Sequence, residues 1–224
     1  MNKKYHATTT KYNILYNGNV SYDRGVNMIK RKYHDNFQDI LTVEQTQQGE
    51  EALVITQSQE PNPHFARAEE KAVKAAQLHS MYQAGKEHNP QMDEAYMLLG
   101  KSRYHDLRFI PAIEAFNYII LKYPDSNIYY DAIVWREKTN IKLKYNDLAI
   151  SNLKKLLKNE DLSNDVLAEA YATLAQGYIN IEHLDSAKIP LRQAIDLTND
   201  VEKKGRYTYI LGQLNAQTDA KAEA

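Results

Sequence analysis

Gly100, Lys101 and Ser102 stand together in "AYMLLGKSRYHD" (residues 95–106), and Gly-Lys-Ser is how a phosphate-binding loop ends. Such a loop needs G-x-x-x-x-G-K-[ST] behind a buried strand, so that unengaged amides cradle the phosphates. The first glycine of that pattern falls on Ala95, and the residues ahead, "NPQMDEAYMLL", contain no β-branched residue. Asp93 can cap a helix there, and Ala95, Leu98, Leu99 and Ser102 follow at helical spacing, which puts Gly100 inside a helix with its amide already bonded. The seven histidines, at 6, 34, 64, 79, 88, 105 and 183, make no H-E-x-x-H or other ligand spacing. Tyr-His-Asp occurs at residues 33–35 and 104–106, but neighbours on a helix point about 100° apart and no serine sits in a G-x-S-x-G turn. Both copies fall at a helix end, where an imidazolium suits the macrodipole and aspartate begins a turn. Glu50-Glu51 and Glu69-Glu70 are adjacent surface pairs rather than a spaced catalytic dyad. The chain has no cysteine, which excludes thiolate catalysis, disulfides and Cys-ligated zinc. The expectation is a protein that is not an enzyme and holds no cofactor or metal.

Lys and Arg number 28 against 29 Asp and Glu, so bulk charge points to no polyanion and no nucleic acid. The first 34 residues differ: Lys3, Lys4, Lys11, Arg24, Lys30, Arg31 and Lys32 face only Asp23, which suits a docking patch for an acidic partner or lipid headgroups, or simply a solvated helix face. No apolar run approaches the roughly 18 residues of a membrane span. "MNKKYHATTT" has a basic start without an apolar core, so it is no signal peptide, and on this reading the chain is soluble and any export signal lies upstream. Six prolines and eight glycines are too few for a turn-rich all-β protein, while 17 tyrosines suit helix seams where one ring edge stays wet.

A glycine inside a helix costs about 1 kcal/mol relative to alanine, so Gly100 asks for a reason, and close approach of a second helix supplies one. From Asp93, Tyr96, Leu99, Gly100 and Tyr104 precede a turn, and Phe109, Ala112, Phe116 and Pro124 follow it. This order resembles the tetratricopeptide repeat, with Arg103 standing where a tyrosine is expected. The spacing predicts a first helix over about 92–105 and a second over about 110–122, with Pro111 in the first turn of the second. Trp135, Ala149 and Leu153 repeat the pattern, with Glu137 at the glycine site predicting looser packing there. Tyr171, Leu174, Ala175, Tyr178, Ala187, Leu191 and Ala194 repeat it again, and Leu211-Gly212 open a last copy. The starts at 93, 130, 168 and 205 are 37, 38 and 37 residues apart. Pro190 lies inside a predicted helix, which it should bend. The expected fold is all-α: a tetratricopeptide solenoid of helical hairpins wound into a right-handed superhelix.

The organisation that follows is a degenerate N-terminal hairpin over residues 1–42, a flexible loop over 43–62, a long amphipathic helix over 63–88, the repeat array over 93–215 and a frayed tail over 216–224. In the first part Asn17-Gly18-Asn19 is read as the turn and Gly25 as the small site, and "FQDILTV" as an extended exit. Ala68, Ala72, Val73, Ala76 and Met81 are the predicted stacking face of the long helix. The first helices of the repeats would present a concave, partner-binding wall of Met97, Lys101, Tyr104, Val134, Lys138, Ile141, Lys142, Ala172, Gln176, Tyr209 and Gln213. A carboxylate clamp of the chaperone-adaptor kind is not expected, because Met97 with Lys101 and Val134 with Lys138 do not form it.

The wording of "TTTKYNILYNGNVSYDRGVNMIKRKYHDNFQDILTVE", "AEEKAVKAAQLHSM", "NPQMDEAYMLLGKSRYHDLRFIPAIEAFNYIILKYPDSN" and "AIVWREKTNIKL" resembles the N-terminal part of the gliding-motility and type IX secretion lipoproteins of Bacteroidota (SprE/PorW type). The resemblance covers nearly the whole chain. It implies a tetratricopeptide protein, lipid-anchored at the outer membrane and facing the periplasm, that serves the secretion machinery as a structural or assembly component. The implied partners are proteins: secretion-machinery subunits or exported polypeptides. The lipid-bearing cysteine is absent and members of that family run much longer, so membrane association would come only through an anchor upstream of this chain. The alternative is a repeat lipoprotein that helps assemble outer-membrane barrels or coordinates the envelope, a style that the "KYPDS" ending shares. A hydrolase or nucleotide enzyme is the third and weakest reading.

Overall fold

The computed structural model describes residues 3–46 and 62–223. Among these residues the regular structure is helical apart from one small two-stranded ladder. It divides into two compact units, Met1–Tyr33 with Thr46–Thr139 and His34–Gln45 with Asn140–Ala224. Among the described residues no helix is long and apolar enough to cross a membrane.

The first unit opens with α1 (Lys3–Thr9), a π-helical stretch over Thr10–Leu15 and α2 (Tyr16–Lys32), which run on as one helix. The N–H of Tyr16 reaches back five residues to the carbonyl of Lys11, the widened turn of a π-bulge. The hairpin expected over residues 1–42 is therefore absent, and Asn17-Gly18-Asn19 is not a turn. Ile14, Gly18, Ser21, Gly25 and Ile29 recur at helical spacing and are all buried, so the glycines serve close approach instead. A Cβ on Gly18 would stand 2.6 Å from Leu98, and one on Gly25 the same distance from the Phe65 ring.

Next comes α3 (Pro63–His79), whose start combines Asn62 as the N-cap, accepting from the His64 N–H at 3.0 Å, with Pro63 in the first turn. Its buried stripe is Phe65, Ala68, Ala72, Ala75 and His79, with Val73 only partly covered. The helix stops nine residues short of the expected 88. Ala84 and Gly85, both at positive φ, turn β1 (Tyr82–Gln83) back on β2 (Lys86–Glu87). The Glu87 carboxylate fixes this hairpin by accepting from the Met81 and Asn89 amides, each at 2.7 Å, and from the Ser80 hydroxyl at 2.6 Å. The 43–62 loop expected from sequence lies mostly outside the described residues.

At the join of α1 and α3 the Nδ1 atoms of His6 and His79 are 3.1 Å apart. Burial, and then the charges of His6 and Lys74, hold His79 below its ordinary value of 6.5. Between the folded and unfolded values the unfolded chain carries more protons, so stability rises with pH in that window. The first unit is thus expected to lose stability as pH falls through about 6.5. Thermal melts at pH 7, 6 and 5 should show the fall, and His79→Gln should flatten it.

The rest of the first unit is α4 (Met92–His105), α5 (Phe109–Lys122) and residues 129–139 of α6 (Tyr129–Lys142). The α4–α5 pair is antiparallel: Tyr96 stacks on Tyr118 with centroids 4.1 Å apart, the Phe116 ring lies on Gly100, and Arg103 donates to the Pro111 carbonyl at 3.1 Å. The close approach that the sequence demanded of Gly100 is there. Glu137, at the corresponding place in α6, is not in a looser spot, because its side chain is wholly buried and bonded to Arg136.

The second unit contains the end of α6, α7 (Asn146–Leu156), α8 (Asn164–Asn180), α9 (Leu184–Leu197) and α10 (Val201–Glu223). Its core gathers Ala172, Ala175, Leu184, Ala187, Leu191, Ala194, Tyr207, Ile210 and Leu214. Pro190 sits buried inside α9, and α10 continues as helix to residue 223 rather than fraying after 215. A Cβ on Gly212 would meet nothing within 4 Å, so this copy of the glycine has no helix pressed upon it.

One turn recurs three times. Leu107, Lys144 and Glu182 stand at φ 61°, 64° and 60°, and their amides donate to Tyr104, Ile141 and Ile179. The next amides, of Arg108, Tyr145 and His183, reach the carbonyls of Arg103, Asn140 and Tyr178. Each is a Schellman motif, and the residue behind it starts the following helix. Ala112, Ala149 and Ala187 then bond back to Arg108, Tyr145 and His183, and all three alanines are fully buried. Left-handed backbone suits glycine better than any of the residues present. Lys144→Gly and Glu182→Gly are each expected to raise the unfolding free energy by up to about 1 kcal/mol, measured by denaturant titration.

Candidate protein-binding surface

The eleven residues expected on a partner-binding wall divide between the units. In the first, Met97, Tyr104 and Val134 are buried. Tyr104 meets the edges of Phe109 and Trp135, and Trp135 stacks on Phe116. Lys101 and Lys138 reach the same indole, with Nζ 5.2 and 4.7 Å from its centroid. Sequence reasoning placed Trp135 in a seam but missed that it joins two of the wall lysines. Gly100 is enclosed by Phe116 within α4, so Gly100-Lys101-Ser102 has the helical setting expected of it rather than that of a phosphate loop.

The two Tyr-His-Asp copies have separate structural partners. His105 is buried and stacks on Phe65, with centroids 5.5 Å apart. Asp106 accepts from the Asn62 amide at 3.1 Å, tying the start of α3 to the end of α4. Glu69, read from sequence as a surface residue, bridges Arg103 at 2.8 Å and Arg108. Burial pushes its carboxyl up, but the hydrogen bonds and charges of the two guanidiniums outweigh this and hold it below 4.5.

In the second unit Ile141 and Ala172 are buried and Lys142 is half-buried. Gln176, Tyr209 and Gln213 come together around residues 35–43 of the chain itself, which turn at Asn36–Asp39, where the Asp39 N–H donates to the Asn36 carbonyl at 3.2 Å, and then run on without regular structure. The Gln213 carboxamide accepts from the Leu41 N–H at 3.0 Å and donates to the Asp39 carbonyl at 2.8 Å, the two-point pairing that a neighbouring strand would give. Gln176 accepts from the Val43 N–H at 2.7 Å, and its amino group is anchored through Asn180 to Asn146 of α7. Gln176 and Gln213 are 37 residues apart, one repeat length, so equivalent positions on α8 and α10 read successive stretches of one backbone.

Arg206, which the sequence reading missed, completes the set. It binds both carboxylate oxygens of Asp35, at 2.8 and 3.1 Å, and donates to the Thr42 carbonyl at 2.7 Å. Arg206, Tyr209, Ile210 and Gln213 share one face of α10, a spacing that could have marked it. Leu41 is buried in the unit's core, and Phe37 meets the edge of Tyr209 with both rings substantially exposed. Backbone-directed amides, an acid-reading guanidinium and an apolar socket can hold a non-helical peptide. Comparison of the chain with protein-family models and with curated proteins finds no match.

Proposed function

We propose that the protein is a non-enzymatic scaffold for protein–protein interaction, a tetratricopeptide solenoid with a right-handed superhelical course. The observation that carries this reading is the α8–α10 face, where side chains on successive first helices grip the backbone of a non-helical segment. The recurring Schellman turn and the buried alanine that follows it support the repeat. The resemblance of "KYN-LYNGN" and "WREKTNIKL" stretches supports a place in the type IX secretion and gliding-motility machinery, at the periplasmic side of the outer membrane.

Tagged protein is expected to recover secretion-machinery subunits from envelope extracts, identified by mass spectrometry. Charge reversal at Lys101, Lys138 and Lys142 should weaken the capture severalfold. Recovery of barrel-assembly proteins alone would move the protein to that role, and a rise in melting temperature with nucleotide would argue for an enzyme instead.

A further inference from the structure

Residues 34–45 carry Asp35, Asp39 and Glu44 and no lysine or arginine. They belong to the second unit although the residues on both sides of them, up to Tyr33 and from Thr46, belong to the first. No helix or strand forms within them. Within the segment the hydrogen bonds are short-range, such as Asn36 to Asp39 and Thr42 to Glu44. The grip described above ties it to the unit: bonds to the carbonyls of Asp39 and Thr42 and the amides of Leu41 and Val43, an ion pair at Asp35, a socket for Leu41, and the packing of Ile40 and Val43 on the same core.

Main-chain bonds are indifferent to sequence, so any chain that takes the same course can make them. Selectivity then falls on three positions: an acid for Arg206, an aliphatic residue six places later for the core socket, and an apolar residue two places beyond it, where Val43 packs on the same core. The aromatic pair at the edge of the site, with Phe37 at 62% and Tyr209 at 46% exposure, is left open to a competitor. Part of the grip lies in partly exposed side-chain bonds.

We propose that residues 35–43 are a resident ligand, and that the α8–α10 face exchanges them for a segment of a partner protein that can take the same turn-then-irregular course and has the same pattern: an acid, five residues, an aliphatic residue, one residue, and a valine-like residue. The exchange deepens the scaffold reading and rests on it for the existence of a protein partner. The resident segment is tethered, so its effective concentration keeps the face closed to weak competitors and selects for this pattern.

The test uses the full chain. A fluorescein-labelled peptide of residues 33–45 is titrated against wild type and against Asp35→Ala/Leu41→Ala, whose own segment is weakened. Anisotropy is expected to show binding to the double variant at least about tenfold tighter than to wild type, with about a tenfold loss when Gln176→Ala and Gln213→Ala are added. Hydrogen exchange on wild type gives an independent measurement: the amides of Leu41 and Val43 should exchange at least about tenfold faster than interior amides of α8. Exchange at the α8 rate makes the segment a fixed part of the core and overturns the proposal, as does failure of the peptide to bind the opened variant. A dimer formed by mutual exchange of residues 34–45 overturns it in favour of a second copy. Failure of the peptide beside successful capture of envelope partners would sink this proposal alone and leave the scaffold standing.

Discussion

Phe116→Ala is expected to lower the unfolding free energy of the first unit by about 3–5 kcal/mol, read as a fall in denaturation midpoint at unchanged slope. The ring is fully buried, lies on Gly100 and stacks on Trp135, so its removal opens a cavity bounded by two helices and an indole. Gly100→Ala in the intact protein should cost about 1–3 kcal/mol, because the new methyl would stand 2.8 Å from both Cδ1 and Cζ of that ring. With Phe116 reduced to alanine the obstruction is gone, and the same glycine substitution should become stabilising by up to about 1 kcal/mol through helix propensity. The reversal of sign in this double-mutant cycle is the decisive readout. Costs that simply add would mean that the two residues do not meet.

Arg136→Met should destabilise the first unit by about 1.5–3 kcal/mol. Its guanidinium meets Oε1 of Glu137 at 2.7 Å, and the Glu137 side chain has no exposure at all, so losing the arginine takes a charge-assisted bond from a carboxylate that water does not reach. The cost is that of a buried charge held by fewer partners, not the worth of the pair. Replacing both, as Arg136→Met with Glu137→Leu, is therefore expected to recover most of the loss. Equilibrium unfolding of the two single variants and the double variant checks this. A single variant as stable as wild type would show that water or another cation reaches the carboxylate.

The α4–α5 and α8–α9 hairpins were legible in the sequence because their determinants are local: a glycine or alanine where helices cross, a large side chain opposite, and a turn at a fixed interval. The π-bulged helix was not, because "NGN" carries the same signal whether its glycine frees a turn or admits Leu98 beside the backbone. The β-hairpin after α3 was hidden by Ala84, a strong helix former held at positive φ. Of the candidate surface, Gln176, Tyr209 and Gln213 followed from the repeat register. Their occupant did not, since Leu41 meets Gln213 across 172 positions and Asp35 meets Arg206 across 171. No local pattern encodes such a pairing.

These separations also order events at the ribosome. Ile40, Leu41 and Val43 are synthesised long before α8 and α10 exist to receive them, and long-range pairings of this kind are slow to close. Until then the nascent chain displays a short aliphatic stretch of the sort that chaperones retain. For the same reason, cutting the chain between residues 139 and 140 would not liberate a whole second unit, because a strip of its interior is encoded ahead of most of the first.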